Sequence, residues 1–555
     1  MVTSTTALGF TVLTLAVFAG AGIRYSRGRV GSVEEFITAR DSAGVGTLTA
    51  TLIASSMGAW ILFSPAEAGA AFGGISAVAG YGAGSALALV VFAFVGPRIR
   101  DLIPEGHSLT EYALARYGRA FYAYVLAVSV LYMFVFLAAE MTGIAGALSL
   151  VAGVPTWQTA SLIGVFVLAY TAYGGLEASI FTDTLQTLVV LPLLAIGFAG
   201  ALLALGGTGE IYRSALATNP DLLNPSFLPG VEFGAYVVIA IVGAEMLNQA
   251  WWQRVYAAEG TRTLRRSFLI AALAVLPMIL LAGLFGLAAA GLGLVRTGAN
   301  YNADIAFFLV LQEAFPEWVV LAVVLLAVLL VTSTADTLFN AIASVVTADL
   351  PRVLDDPSRG TLTTAARALT GVVAVGAVWV GAQGYSVLEL FLTADLLAAA
   401  TFLPLLAGLY TGRLTGVAAL SASLAGLAVG LAFFPTLHGP VSVLVPAAVL
   451  PAASFLASFL GAALVSGGLA LLAARATTGR YDLGRLGREI GRFDEDEPAA
   501  DGGVRRPLDA GESRDTAETR DTTNARDVRT GRDDPTDEAA EAGDPNELTN
   551  GDDGR

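Results

Sequence analysis

Apolar runs long enough to cross a bilayer recur along the chain from its first residues to about position 475. A spanning helix needs roughly 20 apolar residues. Runs of that kind fall near 5–23, 45–72, 76–96, 121–152, 155–172, 181–204, 233–251, 267–290, 317–348, 363–382, 387–409, 412–435 and 441–474. The pattern predicts an all-α polytopic membrane protein with about 13 transmembrane helices. The last run carries Pro446 and Pro451, so it reads as one kinked helix or as two. The first has no arginine before it and no clear small-residue cleavage pattern at its end; it reads as a retained helix, not a signal peptide.

Two of the runs are interrupted at matching places. The stretch "ASSMGAWILFSPAEAG" (54–69) puts serines, glycines, Pro65 and Glu67 into the second run. "GAEMLNQAWWQR" (243–254) puts Glu245, Asn248 and Gln249 into the seventh, five helices later. Interrupted helices in corresponding halves point to an inverted-repeat transporter with its site near the bilayer midplane. On that reading residues 1–44 form an N-terminal helix and first loop, 45–204 one repeat, 205–232 an outer loop, and 233–410 the second repeat. C-terminal helices occupy 411–475, and an acidic disordered tail 476–555.

The ninth run ends unusually. "WVVLAVVLLAVLL" leads without a loop signal into "VTSTADTLFNA" (331–341). Leu330, Ser333 and Thr334 are spaced i, i+3, i+4 and share one helix face. Ala54 and Met57 are similarly spaced, on a helix that glycine and proline can unwind. Two readings are open. Freed carbonyls and two hydroxyls form an oxygen cage for a small monovalent cation, or the hydroxyls bond back to carbonyls one turn earlier. Asp183 begins the sixth run, where an N-cap role is the plain reading. Glu140, Asp336 and Asp395 lie deeper, and a carboxylate inside a membrane is a functional-site hypothesis by default. The alternative for Asp336 is a packed polar seam, and for Asp395 the cap of a broken helix. Trp251, Trp252, Gln253 and Arg254 close a run and read as an interfacial anchor.

Composition agrees with a membrane protein: 55% of the 555 residues are hydrophobic and only 14% charged. All 31 basic residues are arginine, there is no cysteine, and the two histidines, His107 and His438, sit near predicted helix ends. Disulfides and thiolate metal sites are excluded, and no constellation for a membrane enzyme stands out. The net charge of −15 is uneven: residues 481–555 hold 22 acids and 11 arginines, and their polarity predicts disorder. Acidity without lysine suits a high-salt cytoplasm. If the N-terminus is outside, the inner loops collect Arg24, Arg27, Arg29, Arg40, Arg98, Arg100, Arg116 and Arg254 among others, and the outer loops only Arg213 and Arg296. That bias puts the N-terminus outside and the tail inside a plasma membrane.

Several motifs together resemble the sodium:solute symporter family over roughly residues 30–435. They are "FITARDSAGV", "HSLTEYALARYG" (107–118), "YTAYGGLEASIFTDTLQ" (170–186), "QRVYAAE" (253–259) and "STADTLFNAIASVVTADL" (333–350). The resemblance implies a LeuT-type 5+5 inverted repeat, with one extra N-terminal helix and two C-terminal helices. It implies Na+ as the co-transported ion, no other cofactor, and no enzymatic activity. Its sodium would be held by backbone oxygens of Ala54, Met57 and Leu330 and by the hydroxyls of Ser333 and Thr334. Asp183 would be the coupling aspartate. A small solute would bind near Ser56, Trp60, Glu67, Glu140, Glu245 and Asn248, and the monomer, seated in lipid and without a nucleic-acid partner, would be the working unit. Proline symporters carry an aspartate where Ser56 stands, and urea-transporting relatives a histidine where Gln186 stands. A small amino acid or related osmolyte is expected first, urea or a monocarboxylate next. Proton coupling through Asp183 or Glu140 is the alternative mechanism.

Overall fold

The computed structural model of the chain describes residues 3–26, 39–297, 301–353, 359–444 and 451–490. Arg27, Arg29, Pro446 and the acidic tail beyond residue 490 lie outside the described residues, as do the side chains of 172–175 and 346–350 in two of the motifs. In hydrocarbon, backbone amides and carbonyls must pair within the chain, and helices do this segment by segment. They are α1 (Ser4–Ser26), α2 (Val45–Ser56), α3 (Gly74–Leu102), α4 (Leu109–Tyr117), α5 (Arg119–Ala152), α6 (Thr156–Ala204), α7 (Thr208–Thr218), α8 (Leu228–Leu247) and α9 (Gln249–Ala257). The series continues with α10 (Thr261–Gly291), α11 (Ala306–Ala314), α12 (Glu317–Val353), α13 (Arg359–Gly381), α14 (Val387–Ala407), α15 (Gly416–Phe433), α16 (His438–Leu444) and α17 (Phe455–Ala476).

Among the described residues ten helical stretches are long and apolar enough to cross a membrane. Three shorter apolar helices, Val45–Ser56, Thr156–Ala169 and Ala368–Gly381, stand at further expected places. Length and composition alone thus give ten, and the expected thirteen requires those three to cross as well. The fifth and sixth runs join in α6, whose 49 residues far exceed one crossing. The last run proves to be two helices, since α16 stops at Leu444 and α17 starts at Phe455.

Both interruptions occur where the polar stretches predict them. After α2 the chain passes through Met57 (φ −118°, ψ 73°) and extended Gly58 (φ −79°, ψ −177°). It resumes as a 3-10 turn at Ala59–Leu62, and α3 follows after a single α turn (Ser64–Glu67) and a π-helical turn (Ala68–Gly73). In the second interruption α8 stops at Leu247 and Asn248 is extended (φ −81°, ψ 107°). The Asn248 side chain accepts the Ala250 amide at 3.1 Å and so starts α9.

Helices α3, α8 and α10 pack together, and α12 lies against α5 and α6. Three motifs meet at one end of this bundle. Ala43 pairs with Ala258 in an isolated parallel bridge, the Ala43 amide donating to the Ala257 carbonyl at 2.9 Å. Gln249 accepts from the Leu109 amide at 2.9 Å and donates to the His107 carbonyl at 2.8 Å. Small residues let α10 approach the interrupted segment closely: a Cβ on Gly286 would lie 1.8 Å from the Ala66 carbonyl oxygen. Gly286→Val should therefore destabilise the protein by about 1–3 kcal/mol or more through overpacking. Thermal unfolding in detergent checks this against Gly371→Val, at a position with no neighbour within 4 Å of a Cβ.

Candidate functional site

Four of the five expected ion ligands surround one small cavity. Ala54, Met57, Leu330 and Ser333 line it, together with Gln186, Thr187 and apolar neighbours from α2, α6 and α12. The end of α2 supplies the carbonyls, because the last turn of a helix has no donors of its own for them. The Ala54 carbonyl accepts the Met57 amide of the tight terminal turn at 3.1 Å. The Ser333 hydroxyl donates to the Asp183 carboxylate. Its lone pairs are thereby left for another partner. Thr334 lies just beyond the lining, and its Oγ1 is buried with no hydrogen-bond partner. The back-bonding alternative holds for Thr332, whose hydroxyl donates to the Val328 carbonyl at 2.6 Å. Gln186 was not among the expected ligands, yet both its amide atoms are buried without partners on this cavity. The one sequence signal for it was its departure from the urea relatives' histidine.

Behind the hydroxyls lies a buried charge cluster. Asp183 sits in the interior of α6, not at a helix start, so it is not an N-cap. Its Oδ2 accepts from Thr51 at 2.6 Å, Ser55 at 3.3 Å and Arg254 Nη2 at 3.2 Å. Arg254 Nη2 also donates to Thr337 at 2.8 Å. Asp336 accepts from Ser179 at 2.7 Å. Asp183, Arg254 and Asp336 are all fully buried. The interfacial-anchor reading of Trp251–Arg254 is therefore corrected. Trp252 is buried and donates its indole N–H to the Met246 carbonyl at 3.0 Å. A short α9 turned inward is what brings Arg254 to the aspartates.

A second, larger cavity is lined by Ser56, Trp60, Tyr132, Glu245 and Asp395 among others. Three of the expected solute-binding residues, Ser56, Trp60 and Glu245, are thus brought together. Asn248 stands behind the lining and donates to Glu245 Oε2 at 3.0 Å. Glu140 and Glu67 do not line the cavity. Glu140 Oε2 accepts the Ala59 amide at 2.7 Å, holding the restarted half-helix. Gly58 is needed beside it, since a Cβ there would lie 2.0 Å from Glu140 Oε1. Glu67 accepts from the Tyr301 hydroxyl at 2.6 Å and from Ser386 at 3.0 Å, tying three segments together. Asp395, outside the expected solute set, does line the cavity.

Removing one partner of a buried ion pair leaves the other charge uncompensated and typically costs about 3–5 kcal/mol. Arg254→Met should lower thermal stability on that scale. The double variant with Asp183→Asn should recover a large part of the loss in the same melting assay, since it removes the stranded charge.

The fold is that of known symporters. The structure of a Na+-coupled sialic acid symporter, substrate-bound and outward-open, superposes with a TM-score of 0.68 at 16% identity, covering 86% of this chain and 98% of that one. A nucleobase-cation-symport-1 transporter, Mhp1, gives 0.54 at 16% identity, with 82% and 99% covered. Among curated proteins, the spermidine transporter DUR31 of Candida albicans is 30% identical over 58% of this chain and 60% of its own length. The urea active transporter of Saccharomyces cerevisiae is 25% identical over 45% and 36%. The sodium/pantothenate symporter of Escherichia coli is 27% identical over 38% and 45%. The match to these curated relatives thus spans between about a third and three-fifths of their length. Residues 36–426 match the model of the sodium:solute symporter family, and the chain belongs to that family.

Proposed function

We propose that the protein is a sodium-coupled symporter that imports a small organic solute by alternating access. The observation that carries this reading is the small cavity between α2 and α12. Carbonyl-bearing Ala54, Met57 and Leu330 converge there with Ser333, and the next residue, Thr334, has a buried hydroxyl without a partner. Neutral oxygens suit a monovalent ion that must also leave. Asp183 is the coupling residue because it holds the Ser333 hydroxyl and the α9 arginine at once. With the N-terminus outside and the arginine-rich loops inside, each inward sodium gains about 2.3 kcal/mol per 100 mV. The working unit is the monomer in the cell membrane.

The relatives that transport spermidine, urea and pantothenate support a small, nitrogen-bearing solute. A small amino acid, expected first from the sequence, has less support from the cavity: its lining holds Glu245 and Asp395 and no basic side chain to meet an amino acid's carboxylate. A proton-coupled reading narrows to Glu140, whose Oε1 is buried without a partner, because Asp183 is already paired with Arg254.

Uptake by purified protein in proteoliposomes, under a sodium gradient or a pH gradient, separates the two. Sodium-driven uptake is expected. Ser333→Ala and Thr334→Ala should each raise the sodium concentration for half-maximal uptake about tenfold, the effect of roughly 1.4 kcal/mol of lost coordination. Uptake that ignores sodium and follows pH would move the assignment to Glu140.

A further inference from the structure

We infer that the large cavity takes an organic cation, an aliphatic di- or polyamine by charge match, with Glu245 and Asp395 as its counter-charges. This rests on reading that cavity as the transport cavity. Two carboxylates share its lining, and no arginine, lysine or histidine does. Glu245 Oε2 accepts the Trp251 indole N–H and the Asn248 amide, and the Tyr132 hydroxyl also bonds this carboxylate. Asp395 is only 4% exposed, and its Oδ1 has no hydrogen-bond partner. An ionised carboxylate removed from water is costly unless a cation meets it, and the bundle offers no basic residue in that lining. A protonated amine supplies both the charge and the N–H donors.

The rest of the lining fits the same ligand. Trp60 lies between Tyr81, with ring centroids 5.9 Å apart, and Phe391, 6.1 Å away. Phe136 meets Phe391 at 5.0 Å. Aromatic faces attract ammonium groups and also cover a methylene chain. An anionic or zwitterionic solute finds no matching partner. In an interrupted-helix transporter the half-helix N-terminus is the natural place for a solute carboxylate, and here the Glu140 carboxylate already holds the Ala59 amide.

The test uses the full chain in proteoliposomes with an inward sodium gradient and labelled putrescine, spermidine, proline and urea. Wild type is compared with Asp395→Asn, Glu245→Gln and the charge-keeping Asp395→Glu. Uptake of at least one amine is expected, weakened about tenfold or more by each charge-removing variant, the scale of a lost charge-assisted hydrogen bond, and by less in Asp395→Glu. A melting shift of the detergent-solubilised wild type on adding spermidine, reduced in Asp395→Asn, reports binding even if a variant transports poorly. Sodium-driven uptake of proline or urea without any amine would overturn the inference and leave the symporter reading intact. Amine uptake indifferent to sodium would do the reverse. Amine transport unchanged in both charge-removing variants, or neither uptake nor a melting shift with either amine, also overturns it.

Discussion

Backbone polar groups inside a bilayer must find partners, and most of what is distinctive in this protein follows from where that rule is bent. Between Ser56 and Ala59 a transmembrane helix stops and restarts, exposing carbonyls at one broken end and amides at the other. The amide end is met by Glu140 from α5. The carbonyl end faces α12, where a conventional run of leucines and valines gives way to Ser333 and Thr334. The interruption thus creates two demands of opposite sign. The fold answers one with its own carboxylate and leaves the other to neutral oxygens around a cavity. The second interruption, at Asn248, needs less, because the asparagine caps the new helix itself.

The charge cluster makes the carbonyl side more than a polar gap. Asp183, Asp336 and Arg254 are buried within one hydroxyl network, so with all three ionised the cluster carries one surplus negative charge. Such a surplus is expensive in hydrocarbon. On the proposed reading a cation bound among the neighbouring hydroxyls would offset it, while the neutral oxygens would let the ion leave again. Ser333 connects the two parts: its proton goes to Asp183 and its lone pairs remain on the cavity side.

Much of this was legible in the sequence. Interruptions inside apolar runs are easy to see, and helical spacing is enough to put Leu330, Ser333 and Thr334 on one face. Sequence fails where a role depends on tertiary neighbours. Asp183 follows a glycine-rich stretch and looks like a helix start, yet α6 runs through it. Trp251–Arg254 look like an interfacial belt, yet α9 folds inward and buries them. Glu67 and Glu140 read as solute ligands because both are acidic and deep, but each is taken by a structural partner. Asp395 has the same composition signal as these two. What separates it is its place on the cavity lining, which only packing can show.

Two polar clusters stand beyond opposite ends of α10. Arg254 lies just before α10 and Tyr301 just after it, and the 31 residues of that helix span roughly 46 Å. At one end Arg254 binds α9 to α2, α6 and α12 through single hydrogen bonds to Ser55, Asp183 and Thr337. At the other, Glu67 joins the interrupted segment to Tyr301 and Ser386. Alternating access requires that one closure loosen while the other forms. The interrupted segment touches both cavities, with Met57 on one and Ser56 and Trp60 on the other. On the proposed reading, an ion that orders the carbonyl end at Met57 would also set Trp60 against the larger cavity, and that shared stretch of unwound backbone would be a direct physical path for coupling the two bindings.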